Sequence, residues 1–373
     1  MTSQPDHLDS PGGPAVTSQL CSAVNDDPAV DPISTPALPP ELAAVLARAS
    51  RALDPTVAWP PVAPGPGQSS EQWAAEVAAH RAHHDAMAVS FSALVPPVAP
   101  STDPAAADVE VTSVVVPVEG EGVQAAKVYR PAGDTDRPGL LLLHGGGWWM
   151  GGGATAFSIG DILCRRLAAE LDVVVVNFDY RLAPEHRFPT GLDDAEAAID
   201  WMTANAARLG VDPHRLGVYG ISSGGNLAAA LAHRLRATDR ALCLAVLQVP
   251  VLDLRLTSAS IQADPDALAG DLLRDLYLAP GTPVEDPEVS PALATDVTGL
   301  PPTIVVIGTR DSLRDDGVLH AETLAAGGIE CTLLTYEMTH GVATPAVSEA
   351  WVNDVISHGR RILAATAPRR SQA

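Results

Sequence analysis

The sequence predicts an α/β protein with a mostly parallel central sheet and helices on both faces. Two observations predict it. Short continuous apolar runs at 140–143, 173–178, 216–219, 242–249 and 303–307 lack the polar alternation of a half-exposed strand. Amphipathic stretches of helical length separate them, at about 158–170, 191–208, 224–236 and 315–326. In an open sheet of this kind, function collects beyond the carboxyl ends of the strands, so the turns after those runs matter most.

In chain order, residues 1–36 come first. They hold no Lys, Arg or aromatic residue, but carry Asp6, Asp9, Asp26, Asp27, Asp31 and six prolines. Such a segment cannot bury enough apolar area to offset its ordering entropy, and a disordered acidic tail is expected. A helix follows from Pro40 to about Ala52, with Leu42, Val45 and Leu46 on one face. A longer one runs from about Ser70 to Leu94, where Trp73, Val77, Ala88 and Phe91 supply apolar contacts. The PPVAP segments at 60–64 and 96–100 bracket it as stiff boundaries. Residues 109–118 and 124–130, rich in β-branched side chains, read as strands and open the alternating region, which a further extended run at 331–336 closes. A polar, partly helical insertion interrupts it at about 254–290. The expected domains are therefore the tail, an N-terminal helical segment at 37–105, and an α/β domain at 106–373.

With 373 residues and a hydrophobic fraction of 46%, the chain is long enough for one large core plus an appendage. Its 23 basic against 45 acidic residues give a net charge of −22, which argues against nucleic acid or an anionic membrane as partner. No apolar run reaches the ~18 residues of a membrane span. Residues 1–12 show neither a basic nor an apolar signal region. Cys21, Cys164, Cys243 and Cys331 are scattered without CxxC spacing, as expected of reduced thiols in a cytoplasmic protein.

The run at 216–219 ends in Gly220-Ile221-Ser222-Ser223-Gly224-Gly225, and a helix-like Asn226-Leu227-Ala228 follows. G-x-S-x-G between strand and helix is the pattern of a nucleophile elbow. Its turn is so sharp that small residues are needed two before and two after the serine. Ser222 has Gly220 and Gly224 at those offsets; Ser223 would need Ile221 to be glycine. The alternative is a tight turn without chemistry. The run at 140–143 leads into His144-Gly145-Gly146-Gly147-Trp148. Successive glycines let backbone N–H groups approach an anion, as an oxyanion hole requires. A flexible hairpin or a phosphate-binding loop is the alternative, although neither a Walker A nor a dinucleotide fingerprint follows.

An acid and then a histidine should come next along the chain. Asp311 stands just beyond the run at 303–307, and His340 just beyond that at 331–336. Asp315 and Asp316 suit the first turn of the next helix. His320, inside a helix, and His358, near the C-terminus, are expected to be solvated. His80, His83 and His84 share a helix face; with no carboxylate at matching spacing, a polar face is favoured over a metal site.

These motifs resemble those of the bacterial hormone-sensitive-lipase family of α/β-hydrolase esterases. The matches are HGGGW at 144–148, DYRLAPEHRFP at 179–189, GISSGGNLA at 220–228, SPALATDVTGLPPT at 290–303, DSLRDDG at 311–317 and HG at 340–341. They cover about residues 107–365. The resemblance implies an α/β-hydrolase fold and a Ser222–Asp311–His340 triad. It also implies an oxyanion hole from the amides of Gly146, Gly147 and Ser223, and a helical cap from the N-terminal helices and the insertion. The family usually has Asp or Thr at the position of Ile221, Ala at that of Ser223, and Pro at that of Ser312. Trp148 and Trp149 follow the glycines and are candidates to wall a substrate pocket, or to pack under the cap.

The activity so implied is hydrolysis of small carboxylic esters, of short to medium acyl chain, through an acyl-enzyme on Ser222. It needs no metal or organic cofactor. Lactone hydrolysis and acyl transfer share that intermediate and stay open. A non-catalytic binding module is disfavoured by the presence of His340. The expected partner is a small-molecule ester, with a homodimer as a further option.

Overall fold

A computed structural model describes residues 37–366 apart from 55, 121, 134–135 and 264–269. The expected acidic tail lies outside the described residues, as does Cys21.

The chain opens with α1 (Pro40–Ala49) and α2 (Ser70–Leu94). Ser69 starts α2 by a capping box: its Oγ accepts from the Gln72 amide, and the Gln72 side chain accepts from the Ser69 amide. The alternating region then follows as β1 (Glu110–Val118), β2 (Gly122–Arg130), β3 (Arg137–Leu143), α3 (Ala154–Ile159), α4 (Asp161–Leu171) and β4 (Val174–Phe178). Next come α5 (Thr190–Ala204), α6 (Ala206–Leu209), β5 (Val211–Ile221), α7 (Ser223–Leu235) and β6 (Ala245–Gln248). The insertion supplies α8 (Ala259–Ala263) and α9 (Gly270–Tyr277), and β7 (Thr303–Gly308), α10 (Arg314–Ala326), β8 (Cys331–Tyr336) and α11 (Pro345–Ala365) close the fold.

All eight strands form one sheet in the order β1-β2-β4-β3-β5-β6-β7-β8. The β1–β2 and β2–β4 pairs are antiparallel and every other pair is parallel. Side-chain alternation divides the strands between two cores. Leu141 and Leu143 pack with Leu192, Ile199, Leu227 and Leu231 of α5 and α7 on one face. Leu140 and Leu142 pack with Leu163 and Leu167 of α4 and with Trp351 and Val355 of α11 on the other. Burying each such Leu contributes about 1.5–3 kcal/mol, so a two-sided sheet needs the unbroken apolar runs of its central strands.

Several expectations need correction. The helix expected at 158–170 is broken by Gly160 into α3 and α4, and that at 191–208 breaks at Asn205. The run at 242–249 pairs as a strand only over Ala245–Gln248. His320 is buried, and burial, aided by nearby His233, pushes its pKa down to about 3. His84 is buried too, against Trp59 and Trp149, so the three histidines of α2 do not share a solvated face. Neither burial is visible in helix periodicity, because the covering residues come from distant chain positions. Among the described residues, no helix is long and apolar enough to cross a membrane.

The first two helices lie against the strand-end loops. Leu42, Val45 and Ala49 of α1 form a small core with Val95 and Val342, the latter two residues past His340. From the insertion, Tyr277 stacks on Trp148 with ring centres 4.3 Å apart.

Candidate active site

Strand β5 delivers Ser222 into a turn that allows no side chain at two positions. A Cβ on Gly220 would lie 2.1 Å from the Gly224 carbonyl oxygen, and one on Gly224 would lie 2.2 Å from that of Leu143. Ser222 itself is held at φ 54°, ψ −116°, a left-handed conformation that costs a non-glycine residue about 1–3 kcal/mol. The turn is anchored by the Ser222 amide, which donates to the Gln248 carbonyl at 2.8 Å.

The elbow, the loop after β7 and the loop after β8 bring Ser222, Asp311 and His340 together. Ser222 Oγ donates to His340 Nε2 at 3.0 Å. His340 Nδ1 donates to Asp311, 3.0 Å from Oδ2 and 3.2 Å from Oδ1. The Asp311 side chain is fully buried, whereas His340 remains 28% exposed. Burial disfavours the imidazolium, but the charge and hydrogen bonds of Asp311 outweigh it and raise the His340 pKa above its ordinary value. The two loops are tied to each other. Thr309 Oγ1 donates to Glu337 at 2.9 Å, Arg310 pairs with the same carboxylate, and the Arg310 amide donates to the Met338 carbonyl.

The glycine run after β3 faces the elbow. Gly146 has φ 126°, and a Cβ there would lie 2.1 Å from the Met150 carbonyl oxygen, so the turn closes only on glycine. Among the described residues, the amides of Gly146, Gly147 and Ser223 donate to no acceptor. Ser223 is the first residue of α7, where an unpaired N–H is intrinsic and the helix dipole favours negative charge. His144 is buried, stacks on Tyr180 and donates from Nδ1 to the Gly145 carbonyl; burial lowers its pKa, so it stays neutral.

Ser222 and His340 open into a cavity of about 360 Å³, walled by Ile221, Val249, Val251, Leu254, Leu256 and Leu273 among others. Trp148 and Trp149 both line it, yet are only 3% and 1% exposed. Trp148 is stacked on Tyr277, and Trp149 packs against the tilted ring of Trp59 and edge-to-face with His84, so they serve both as wall and as packing. Arg274 is the one charged side chain on the described lining. A larger cavity of about 580 Å³, bounded by Trp73, Arg187 and Leu278, is lined by none of Ser222, Asp311 and His340.

Sequence reasoning missed Trp59, Leu254, Leu256, Leu273 and Arg274 as lining. Scattered apolar residues of loops and short helices carry no motif. Ile221 is a pocket wall, which gives the departure from the family pattern a location.

The family model for the alpha/beta hydrolase fold matches residues 140–344. Carboxylesterase NlhH of Mycobacterium tuberculosis is 38% identical over 206 residues, covering 51% of this chain and 64% of that enzyme. The match thus spans just under two thirds of that relative's length. An arylesterase of Saccharolobus solfataricus is 34% identical over 209 residues, 54% of this chain and 67% of that one. Among solved structures, a bacterial heroin esterase superposes with a TM-score of 0.70 at 31% identity, covering 88% of this chain and 98% of the other.

Proposed function

The chain belongs to the alpha/beta hydrolase fold family, in its hormone-sensitive-lipase branch, and from that premise we propose that it is a serine carboxylesterase. The observation that carries the proposal is the unbroken hydrogen-bonded line from Ser222 through His340 to Asp311, open to an apolar cavity.

In the proposed reaction, Ser222 Oγ attacks the ester carbonyl while His340 Nε2 takes its proton. Asp311 holds the imidazole tautomer and stabilises the imidazolium. The carbonyl oxygen becomes an oxyanion received by the amides of Gly146, Gly147 and Ser223; losing one such donor typically costs ~10²–10³ in rate. The bond to the alcohol oxygen breaks, His340 returns the proton to that oxygen, and the acyl group stays on Ser222. Water, deprotonated by His340, then attacks the acyl carbonyl, and Ser222 leaves with the proton. The helical segment at 37–105 and the insertion at 254–290 act as a cap, since Trp59 and Leu273 close the cavity from those two sides.

A cavity near the low end of the ~300–1,000 Å³ typical of ligand sites suits short to medium acyl groups. A series of p-nitrophenyl esters from acetate to palmitate, assayed beside γ- and δ-lactones, tests this. Turnover should peak at two to eight carbons and fall steeply by hexadecanoyl. A preference for lactones, or no ester hydrolysis at all, would displace the carboxylesterase reading.

The proton acceptor sets the pH dependence. Protonated His340 cannot take the Ser222 proton, so activity is lost as pH falls through its pKa. Because Asp311 raises that pKa, the acid limb of kcat/KM should have its midpoint above the ordinary histidine value of about 6.5. A limb centred near pH 5 would contradict the triad assignment.

A further inference from the structure

Helix α2 grips the oxyanion turn from outside. Asp85 Oδ1 accepts from the Gly151 amide at 2.8 Å. Arg81, one turn earlier, donates from Nε to the Trp149 carbonyl at 2.6 Å and from Nη2 to the Ala183 carbonyl at 2.9 Å. Its guanidinium also pairs with Glu185 at 2.6 Å. His84, between them in sequence, packs edge-on against the Trp149 ring.

The gripped atoms lie on either side of Met150. The Met150 and Trp149 amides both close back onto the Gly146 carbonyl, at 3.1 and 3.2 Å. That carbonyl belongs to the same peptide unit as the Gly147 N–H. In a planar trans peptide the two groups point in opposite directions. Fixing the Gly146 oxygen toward the turn therefore aims the Gly147 N–H away from it. A turn pinned at Trp149 and Gly151 holds its plane against rotation, and preorganised donors are what make an oxyanion site effective.

We propose that Arg81 and Asp85 are positioning residues for the oxyanion turn, so that α2 sets the rate of acyl transfer and not only access to the cavity. The inference rests on the carboxylesterase reading above. Neither residue lines the cavity that Ser222 opens into; both act through the backbone of Trp149 and Gly151.

The test compares the full-length wild type with Asp85→Leu, Asp85→Asn and Arg81→Met. The readouts are kcat and KM on p-nitrophenyl butyrate, and hydrogen–deuterium exchange of the segment 145–151. Asp85→Leu and Arg81→Met should each lower kcat by about 10–100-fold with KM within about twofold, less than outright loss of a donor. Exchange across the turn should rise in both. Asp85→Asn keeps an acceptor for the Gly151 amide and should retain kcat within about threefold, with exchange unchanged. A rise in KM alone, an Asn variant as slow as the Leu variant, or unaltered exchange would overturn the assignment. Wild-type ester turnover is scored separately: its absence removes the esterase reading, whereas turnover insensitive to both Asp85→Leu and Arg81→Met removes only the role of α2.

Discussion

Ser222→Ala should lower kcat for ester hydrolysis by about 10⁶-fold while leaving the protein folded. The size of the effect follows from the elbow, which admits one hydroxyl. Ser222 alone stands in the left-handed turn within 3.0 Å of His340 Nε2. Ser223, next in the chain, is fully buried as the first residue of α7 and contributes only its amide. Ser223→Ala keeps that amide and should stay within about tenfold of wild type, since no catalytic atom is removed. Steady-state kcat on p-nitrophenyl butyrate, together with covalent labelling by an alkyl phosphonate, reads both variants. A dead Ser223→Ala beside an active Ser222→Ala would shift the nucleophile by one residue and dismantle the mechanism.

Asp311→Asn should cost about 10⁴ in kcat, in line with loss of the correct imidazole tautomer in other triads. Asp311 is buried, and its carboxylate accepts from both His340 Nδ1 and the Leu313 amide. An asparagine there would offer its NH₂ group to Nδ1, forcing the imidazole proton onto Nε2, where it opposes the Ser222 hydroxyl. Asp315→Asn should stay within about tenfold, because Asp315 is spent elsewhere. One of its oxygens accepts from the Ser260 amide at 2.8 Å, and the other pairs with Arg314. Asp316 points to the Asp253 amide, and burial pushes its carboxyl up to about 7. If Asp315→Asn were inactive and Asp311→Asn near normal, the acid would have to be moved four residues along.

The sheet was legible because its strands are buried on both faces and so read as continuous apolar runs. The elbow and the glycine run were legible because steric exclusion is absolute: Gly220 and Gly224 face backbone oxygens at distances no Cβ can occupy. Asp311 and His340 could be placed because strand-end loops in this architecture gather on one edge of the sheet. What the sequence concealed is how α2 docks. Arg81 and Asp85, four apart on one helix face, look like any solvated charged pair. Apart from the Glu185 carboxylate, their partners are main-chain atoms of residues 149, 151 and 183, which carry no side-chain signature. His84 was misjudged for the same reason, since the rings that bury it come from residues 59 and 149.

The small core joining Leu42 and Val45 to Val342 has a consequence for how the chain is made. The two sides of that contact are separated by some 300 residues of sequence. At a typical synthesis rate of ~5–20 residues per second, α1 waits roughly 15–60 s for the segment that covers it. Throughout that interval its apolar face has only Phe91 and Val95 to pack against, and its core stays incomplete. Contacts of such long sequence separation also form late and slowly in folding. The loop that carries His340 is therefore braced only after translation has passed it. A chain released before residue 340 would keep the elbow and the glycine run but lack the imidazole that faces Ser222.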